Sequence, residues 1–413
     1  MLSNRKIQVI MLVVLLLMLT AVAVTLTAQD IVDEECATLV IAAVASIDEQ
    51  CSMVAGNSVC YAHPTVEAEA MAGVDLTFSA PGDQVSLDDV ASIHTSPVNV
   101  ETGEWGIAVV NTSPAMDEST EATPEADSDE AMANENPRLV LMGDVTLQNI
   151  SDEVSSFDGA FVVETSGDEP SCAGAPNKFI LQSEADGLEI IVNGAEIGMD
   201  TQTTILVDAV ANDSMTVVVI DGSATVTAGG ETQVVVSGEQ TVIVLGGDTG
   251  LIVVSAPSLP ILIITDNLQF VPISLFVDVV EVDSLERWTD TGIELTAGQS
   301  FTIIASELVK TADELPWSSP TGHTPQDCAA AGRGDWDCRC RTLPEWGTCS
   351  LTETTSMILL GRVGEDDQPF VVGSGGVFTA RTDGVLYLGA NDNFFEDNVG
   401  TYSALIQVVD FTP

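Results

Sequence analysis

Six short runs of β-branched and aliphatic residues follow one another between positions 186 and 247, and they leave this part of the chain little choice of fold. They are Leu188-Glu-Ile-Ile-Val192, Thr203-Thr-Ile-Leu-Val207, Met215-Thr-Val-Val-Val-Ile220, Ser223-Ala-Thr-Val-Thr227, Thr232-Gln-Val-Val-Val236 and Thr241-Val-Ile-Val-Leu245. They recur about every eight to twelve residues with Gly, Asn or Asp between them, the spacing of strands joined by tight turns. Each run is too short for an amphipathic helix and carries the residues that fit a pleated surface. This segment is therefore predicted to be a β module of its own.

The flanking regions read the same way. In residues 30–180 the runs Val85-Ser-Leu-Asp-Asp-Val90, Trp105-Gly-Ile-Ala-Val-Val110 and Leu139 to Leu147 show partial alternation broken by Gly and Pro. The Ala/Val-rich stretch from Cys36 to Ile47 is expected to make a short helix, with Cys51 and Cys60 tying its far end. Within this region, residues 111–137 hold eight acidic residues and no basic one among Pro, Ser, Thr and Ala. Such a composition cannot bury enough apolar surface to offset its ordering entropy, so an acidic disordered insert is expected. Residues 248–274 combine Pro257, Pro260 and Pro272 with Leu251-Ile-Val-Val254 and Ile261-Leu-Ile-Ile264. That is too apolar for a free linker, and the expectation is a connector packed against a neighbour.

Residues 1–28 resemble an export signal, with Arg5-Lys6, an apolar run from Val9 and a small-residue Ala21-Val-Ala23 pattern. The apolar run continues to Ala28, about the length that spans a bilayer. A cleaved signal peptide and a retained membrane anchor both fit, and either places the rest of the chain outside the cell. The eight cysteines suit that compartment. Cys36, Cys51, Cys60 and Cys172 precede the middle module, and Cys328, Cys338, Cys340 and Cys349 follow it, so disulfides within each set are expected rather than zinc.

Charge and composition remove several functions. With 11 Lys+Arg against 63 Asp+Glu, the net charge of −52 repels nucleic acid and anionic lipid and attracts divalent cations. Three histidines, His63, His94 and His323, cannot build a His-rich metal site. No Gly-x-Ser-x-Gly elbow has a histidine nearby, and no Walker or dinucleotide motif follows a strand. The chain is expected not to be an enzyme.

Residues 275–413 carry the most informative segments: Trp288-Thr-Asp290-Thr-Gly292-Ile293, Trp317-Ser-Ser-Pro320-Thr-Gly322, Gly361-Arg-Val-Gly364, Gln368-Pro369-Phe370-Val-Val-Gly373, and Asn391-Asp392-Asn393-Phe-Phe-Glu396-Asp397-Asn398-Val-Gly400. The last places five carboxylate or amide side chains within seven residues after an apolar strand. Dense oxygen donors suit calcium, which takes six to eight oxygens; the same residues also make ordinary Asx-rich turns. The order of these segments resembles the bacterial calcium-dependent galactose-binding lectins (the LecA, or PA-IL-like, family), small jelly-roll β-sandwiches. That resemblance implies calcium held by Asp392, Asp397 and Asn398 with backbone carbonyls, and two sugar hydroxyls on the metal. Asp392 and Asn398 would then face the sugar, joined by His323 and Gln326, whose His323-Thr-Pro325-Gln326 echoes a His-Pro-x-Gln contact of the family. Two departures stand out: the loop is about two residues shorter, and the family's loop threonine has no counterpart.

The middle module resembles FecR-like domains through Val219-Ile220-Asp-Gly222-Ser-Ala-Thr-Val226 and Val236-Ser-Gly238-Glu-Gln-Thr-Val242. A spacer role follows from that likeness. The start of the N-terminal region, with Asn57-Ser-Val-Cys60-Tyr61, is similar to uncharacterised secreted bacterial proteins. The whole chain thus reads as an all-β, multi-domain protein: a β-rich, disulfide-containing N-terminal domain, a FecR-like module, a connector and a jelly-roll-like sandwich. The function that follows is an extracellular or cell-surface, calcium-dependent, carbohydrate-binding protein whose partners are glycans. The alternative is a cell-envelope structural protein in which calcium only staples the sandwich.

Overall fold

A computed structural model describes residues 34–52, 54–112, 138–149, 160–167, 172, 175–183, 188–268, 270–311, 315–330, 332, 339–341 and 348–409. Residues 1–33, with the expected export signal, and residues 113–137 of the acidic insert lie outside the described residues, while Asn111 closes the strand Ile107–Asn111. No helix among the described residues is long and apolar enough to cross a membrane.

The architecture is all-β, and its larger part is one sandwich of two sheets. The ten-stranded sheet runs from Gln84–Ser86 and Ser58–His63 through Ile107–Asn111, Arg138–Met142 and Lys178–Ser183 to Thr203–Ala209, Ser214–Asp221 and Glu239–Gly246. The eight-stranded sheet runs from Val66–Ala70 through Val90–Thr95, Val145–Asn149 and Ala160–Thr165 to Leu188–Val192, Ala195–Met199, Ser223–Ala228 and Glu231–Val236. The segments read as an N-terminal domain and a FecR-like module therefore share both sheets. In one, Phe179 pairs antiparallel with Val207; in the other, Val192 pairs parallel with Phe161. A single apolar core runs from Val59 to Leu251 across that junction. The physical reason is edge satisfaction, because a module ending at residue 186 would leave a row of backbone donors and acceptors unpaired on each side.

Asn193 completes the junction. With Gly194 it forms a left-handed two-residue turn, φ 54° and 87°, between Leu188–Val192 and Ala195–Met199. Its buried amide accepts from Val163 N at 2.8 Å and donates to Val163 O at 2.9 Å.

The outer face of the ten-stranded sheet is covered in its middle. Helix α1 (Glu34–Cys51) lays Cys36, Ala37, Val40, Ala43 and Ile47 onto it at helical spacing. Disulfides Cys36–Cys172 and Cys51–Cys60 hold the two ends of that helix. Because both faces are covered, Ile107–Asn111 is buried at every position, which explains why alternation in this region is only partial. The connector divides in two. Leu268, Val271 and Ile273 are packed into the same apolar layer, but Val254, Leu259, Ile261, Leu262 and Ile264 remain 53–75 % exposed along the outer side of Glu239–Gly246.

The C-terminal sandwich has the interleaved order of a jelly roll. One sheet runs Val280–Asp283, Val399–Val409, Ser300–Ser306, Gly375–Thr379; the other runs Thr289–Leu295, Gly384–Ala390, Leu359–Val363, Phe370–Val371. Phe301, Leu359, Leu386, Leu388 and Tyr402 fill its core. Its outer residues Ile304, Leu308 and Leu405 join the layer that holds α1. Cys340–Cys349 is closed within this part, Cys328 is also disulfide-bonded, and Cys338 lies outside the described residues. Every described bond stays within its own cysteine set.

Candidate metal centre

The loop between Gly384–Ala390 and Val399–Val409 crosses from one sheet of the jelly roll to the other, and asparagine side chains fix its path. Asn391, fully buried, accepts from Leu351 N at 3.0 Å and donates to Leu351 O, Thr354 Oγ1 and Thr355 O at 2.8–3.2 Å. Asn393 Nδ2 donates to Arg341 O at 2.6 Å, beside the Cys340–Cys349 disulfide. Asn398 Nδ2 donates to Ser284 O at 2.8 Å. Two residues on, Gly400 has φ +94°, and a Cβ there would sit 2.5 Å from Leu308 O, so only glycine lets the chain turn into its strand.

Two oxygens in this clamped loop have no hydrogen-bond donor. Asp392 is 6 % exposed; its Oδ1 accepts from Asn393 N at 2.7 Å, while its Oδ2 is buried without a partner. Asn398 is 4 % exposed, and its Oδ1 is buried without a partner as well. A buried, unsatisfied polar atom costs about 1–3 kcal/mol. Burial holds the Asp392 carboxyl above the ordinary carboxylate range; hydrogen bonds from the Asn393 N–H, the Asn398 side chain and the Phe394 N–H offset this in part, and the charge of Asp397 adds to it. A hard cation resolves such a pair, since it needs oxygen acceptors and a compensating negative charge. Asp392 and Asn398 therefore fit a calcium ion, and Asp397, exposed on the rim of the same loop, can add a second carboxylate. Among the described residues no three His, Cys, Asp or Glu side chains converge, so any cation here would rest on mixed carboxylate, amide and carbonyl oxygens.

His323 is placed differently from the expectation. It is 1 % exposed, its Nδ1 lies 3.0 Å from Ser356 Oγ, and its Nε2 lies 3.0 Å from Pro316 O. With both ring nitrogens engaged, it ties two chain segments together and presents no edge to a sugar. Gln326 belongs to the short helix α2 (Pro325–Ala330), and its side chain lies outside the described residues. Sequence reasoning missed the clamp made by Asn391 and the role of Ser284. The Asn-Asp-Asn run was the visible signal for the first; nothing in the sequence marked the second.

No family model matches this chain, and no curated protein matches it. Among solved structures, eight chains match. One is the EclA N-terminal domain, a PllA-like lectin: it is 22 % identical, it covers 32 % of this chain and 97 % of its own length, and the TM-score is 0.24. An overlap that slight locates no functional residue.

Proposed function

We propose that the C-terminal sandwich is a non-catalytic, calcium-dependent carbohydrate-binding module of an exported protein. The observation that carries this reading is the pair of donorless oxygens, Asp392 Oδ2 and Asn398 Oδ1, buried in a loop whose other amides are all engaged. Calcium bound there would supply open coordination positions for vicinal sugar hydroxyls. Hydrogen bonds of Asn391 and Asn393, and that of Asn398 to Ser284 O, hold the loop on either side of the two oxygens. Asp397 lies exposed, where a ligand could approach. The segment order shared with the galactose-binding lectins supports the sugar class, and the disulfides support export.

A second reading is favoured by the depth of the pair. At 6 % and 4 % exposure, Asp392 and Asn398 could surround the ion with protein oxygens and leave it as a staple. Calorimetry on the full chain separates the two. Calcium uptake followed by galactoside binding supports the lectin reading, calcium uptake without response to any glycan leaves the staple, and no calcium uptake overturns both.

A further inference from the structure

A cleft lies where helix α1 meets the jelly roll, with Gly400 in its lining. Its volume of 480 Å³ is walled by Ile41 and Val44 of α1, Phe270 of the connector, and Leu308, Trp317 and Val399 of the sandwich. That size and apolar lining suit a small organic ligand. The polar contribution comes from Ser274, Glu307 and Thr401 at its margin.

Glu307 is held there under strain. Its φ of +75° is left-handed, a conformation that costs a non-glycine residue about 1 kcal/mol or more and persists only where neighbours over-determine it. Those neighbours are two hydroxyls: Ser274 Oγ donates to Oε1, and Ser403 Oγ donates to Oε2 at 2.8 Å. Both donors are neutral. Among the described residues no ion pair reaches Glu307, so its charge is not neutralised. Each carboxylate oxygen keeps a free lone pair beside an apolar cleft that contains an indole.

We infer that this cleft binds a small organic cation, an aryl- or alkylammonium whose apolar body fills the space between α1 and the sandwich while its ammonium meets Glu307 and the face of Trp317. Charge complementarity selects that class: a carboxylate and an indole both attract ammonium, and apolar walls exclude inorganic cations, which keep their water. The cleft is lined by none of the proposed calcium ligands, so the test is run in chelator.

The full chain is titrated calorimetrically with 2-phenylethylammonium and, separately, with 2-phenylethanol, in about 0.15 M salt so that diffuse attraction to the acidic surface is screened. The ammonium should bind about tenfold more tightly than the alcohol. Glu307→Gln, which keeps the size and backbone of the residue, should bring the ammonium down to the alcohol's affinity. Ile41→Trp should abolish binding of both by filling the cleft from a helix position that is 47 % exposed and so tolerates the change. Equal affinity of the two probes, ammonium binding untouched by either variant, or no heat with the wild type would each overturn the proposal.

Discussion

Replacing Asp392 by asparagine should stabilise the metal-free protein, against the usual outcome for a buried polar residue. In the wild type Asp392 carries a charge into a site where one oxygen accepts from Asn393 N and the other has no partner, and Asn398 Oδ1 in the same loop is equally donorless. The substitution would remove the buried charge and supply an N–H₂ group that can serve Asn398 Oδ1. Relieving one or two unsatisfied groups corresponds to about 1–3 kcal/mol. At roughly 2–4 °C per kcal/mol for a domain of this size, the melting temperature in chelator should rise by about 2–12 °C. The effect depends on pH with a definite sign. Because the folded carboxyl titrates above its unfolded value, the wild type loses stability as pH rises from about 3.9 through the folded pKa, and the variant does not. The advantage of Asp392→Asn should therefore be absent in acid, grow through that window and stay constant above it. In millimolar calcium the gap narrows: the wild type gains about 0.5–1.5 kcal/mol for a dissociation constant near 0.1–1 mM, and the variant gains nothing. Thermal melts at several pH values, with chelator and with calcium, measure all of this. A variant that melts lower than wild type in chelator at neutral pH would refute the reasoning, because it would mean that the carboxylate already has its partners.

Three further outcomes follow from the same geometry. Burial holds His323 below the ordinary histidine pKa, so its contribution to stability is full above about 6.5 and is lost as pH falls from there to the folded value, with a slope of up to about 1.4 kcal/mol per pH unit; urea titrations of wild type and His323→Asn should differ in that slope, and equal slopes would remove the buried-imidazole account. Asn391→Ala leaves the Leu351 N–H and several carbonyls without their partner and should cost about 2–4 kcal/mol, measured as a fall in denaturation midpoint; a loss below about 0.5 kcal/mol would show that the clamp is dispensable. Loop-closure entropy ranks the disulfides of α1: opening Cys36–Cys172, which spans 136 residues, should cost about 5 kcal/mol, and opening Cys51–Cys60, which spans nine, about 2.7 kcal/mol, so paired Cys→Ser variants that reverse the order would contradict a chain-entropy origin.

The strands were legible and their partners were not. Runs such as Thr203-Thr-Ile-Leu-Val207 declare themselves through β-branching and turn spacing, which are local properties. That this run pairs with Lys178–Ser183, whose last residue precedes it by twenty positions, depends on which edges are left open once the chain has collapsed. The domain boundary drawn at residue 186 fell inside a continuous pair of sheets for that reason. The 391–398 loop shows the same division. Its run of Asn and Asp is visible because the donors and acceptors are adjacent in sequence, whereas His323 carries the same chemical signal whether it faces solvent or, as here, ties Ser356 to Pro316. Glu307 and Trp317 lie far from Ile41 in sequence, so their cleft has no motif at all.

The way the jelly roll is mounted sets how its loop can be used. Ile304, Leu308 and Leu405 are sunk in the layer beneath α1, and Gln407 Nε2 donates to Asp221 Oδ1 of the ten-stranded sheet at 2.7 Å. A binding module on a flexible tether can search for a second anchoring point and so gain avidity through effective concentration. The jelly roll cannot swivel, because its own strands are part of the body's apolar core. Whatever the 391–398 loop holds is held at a fixed bearing to the remainder of the chain, and multivalent attachment would have to come from several copies arrayed on a surface rather than from reach within one.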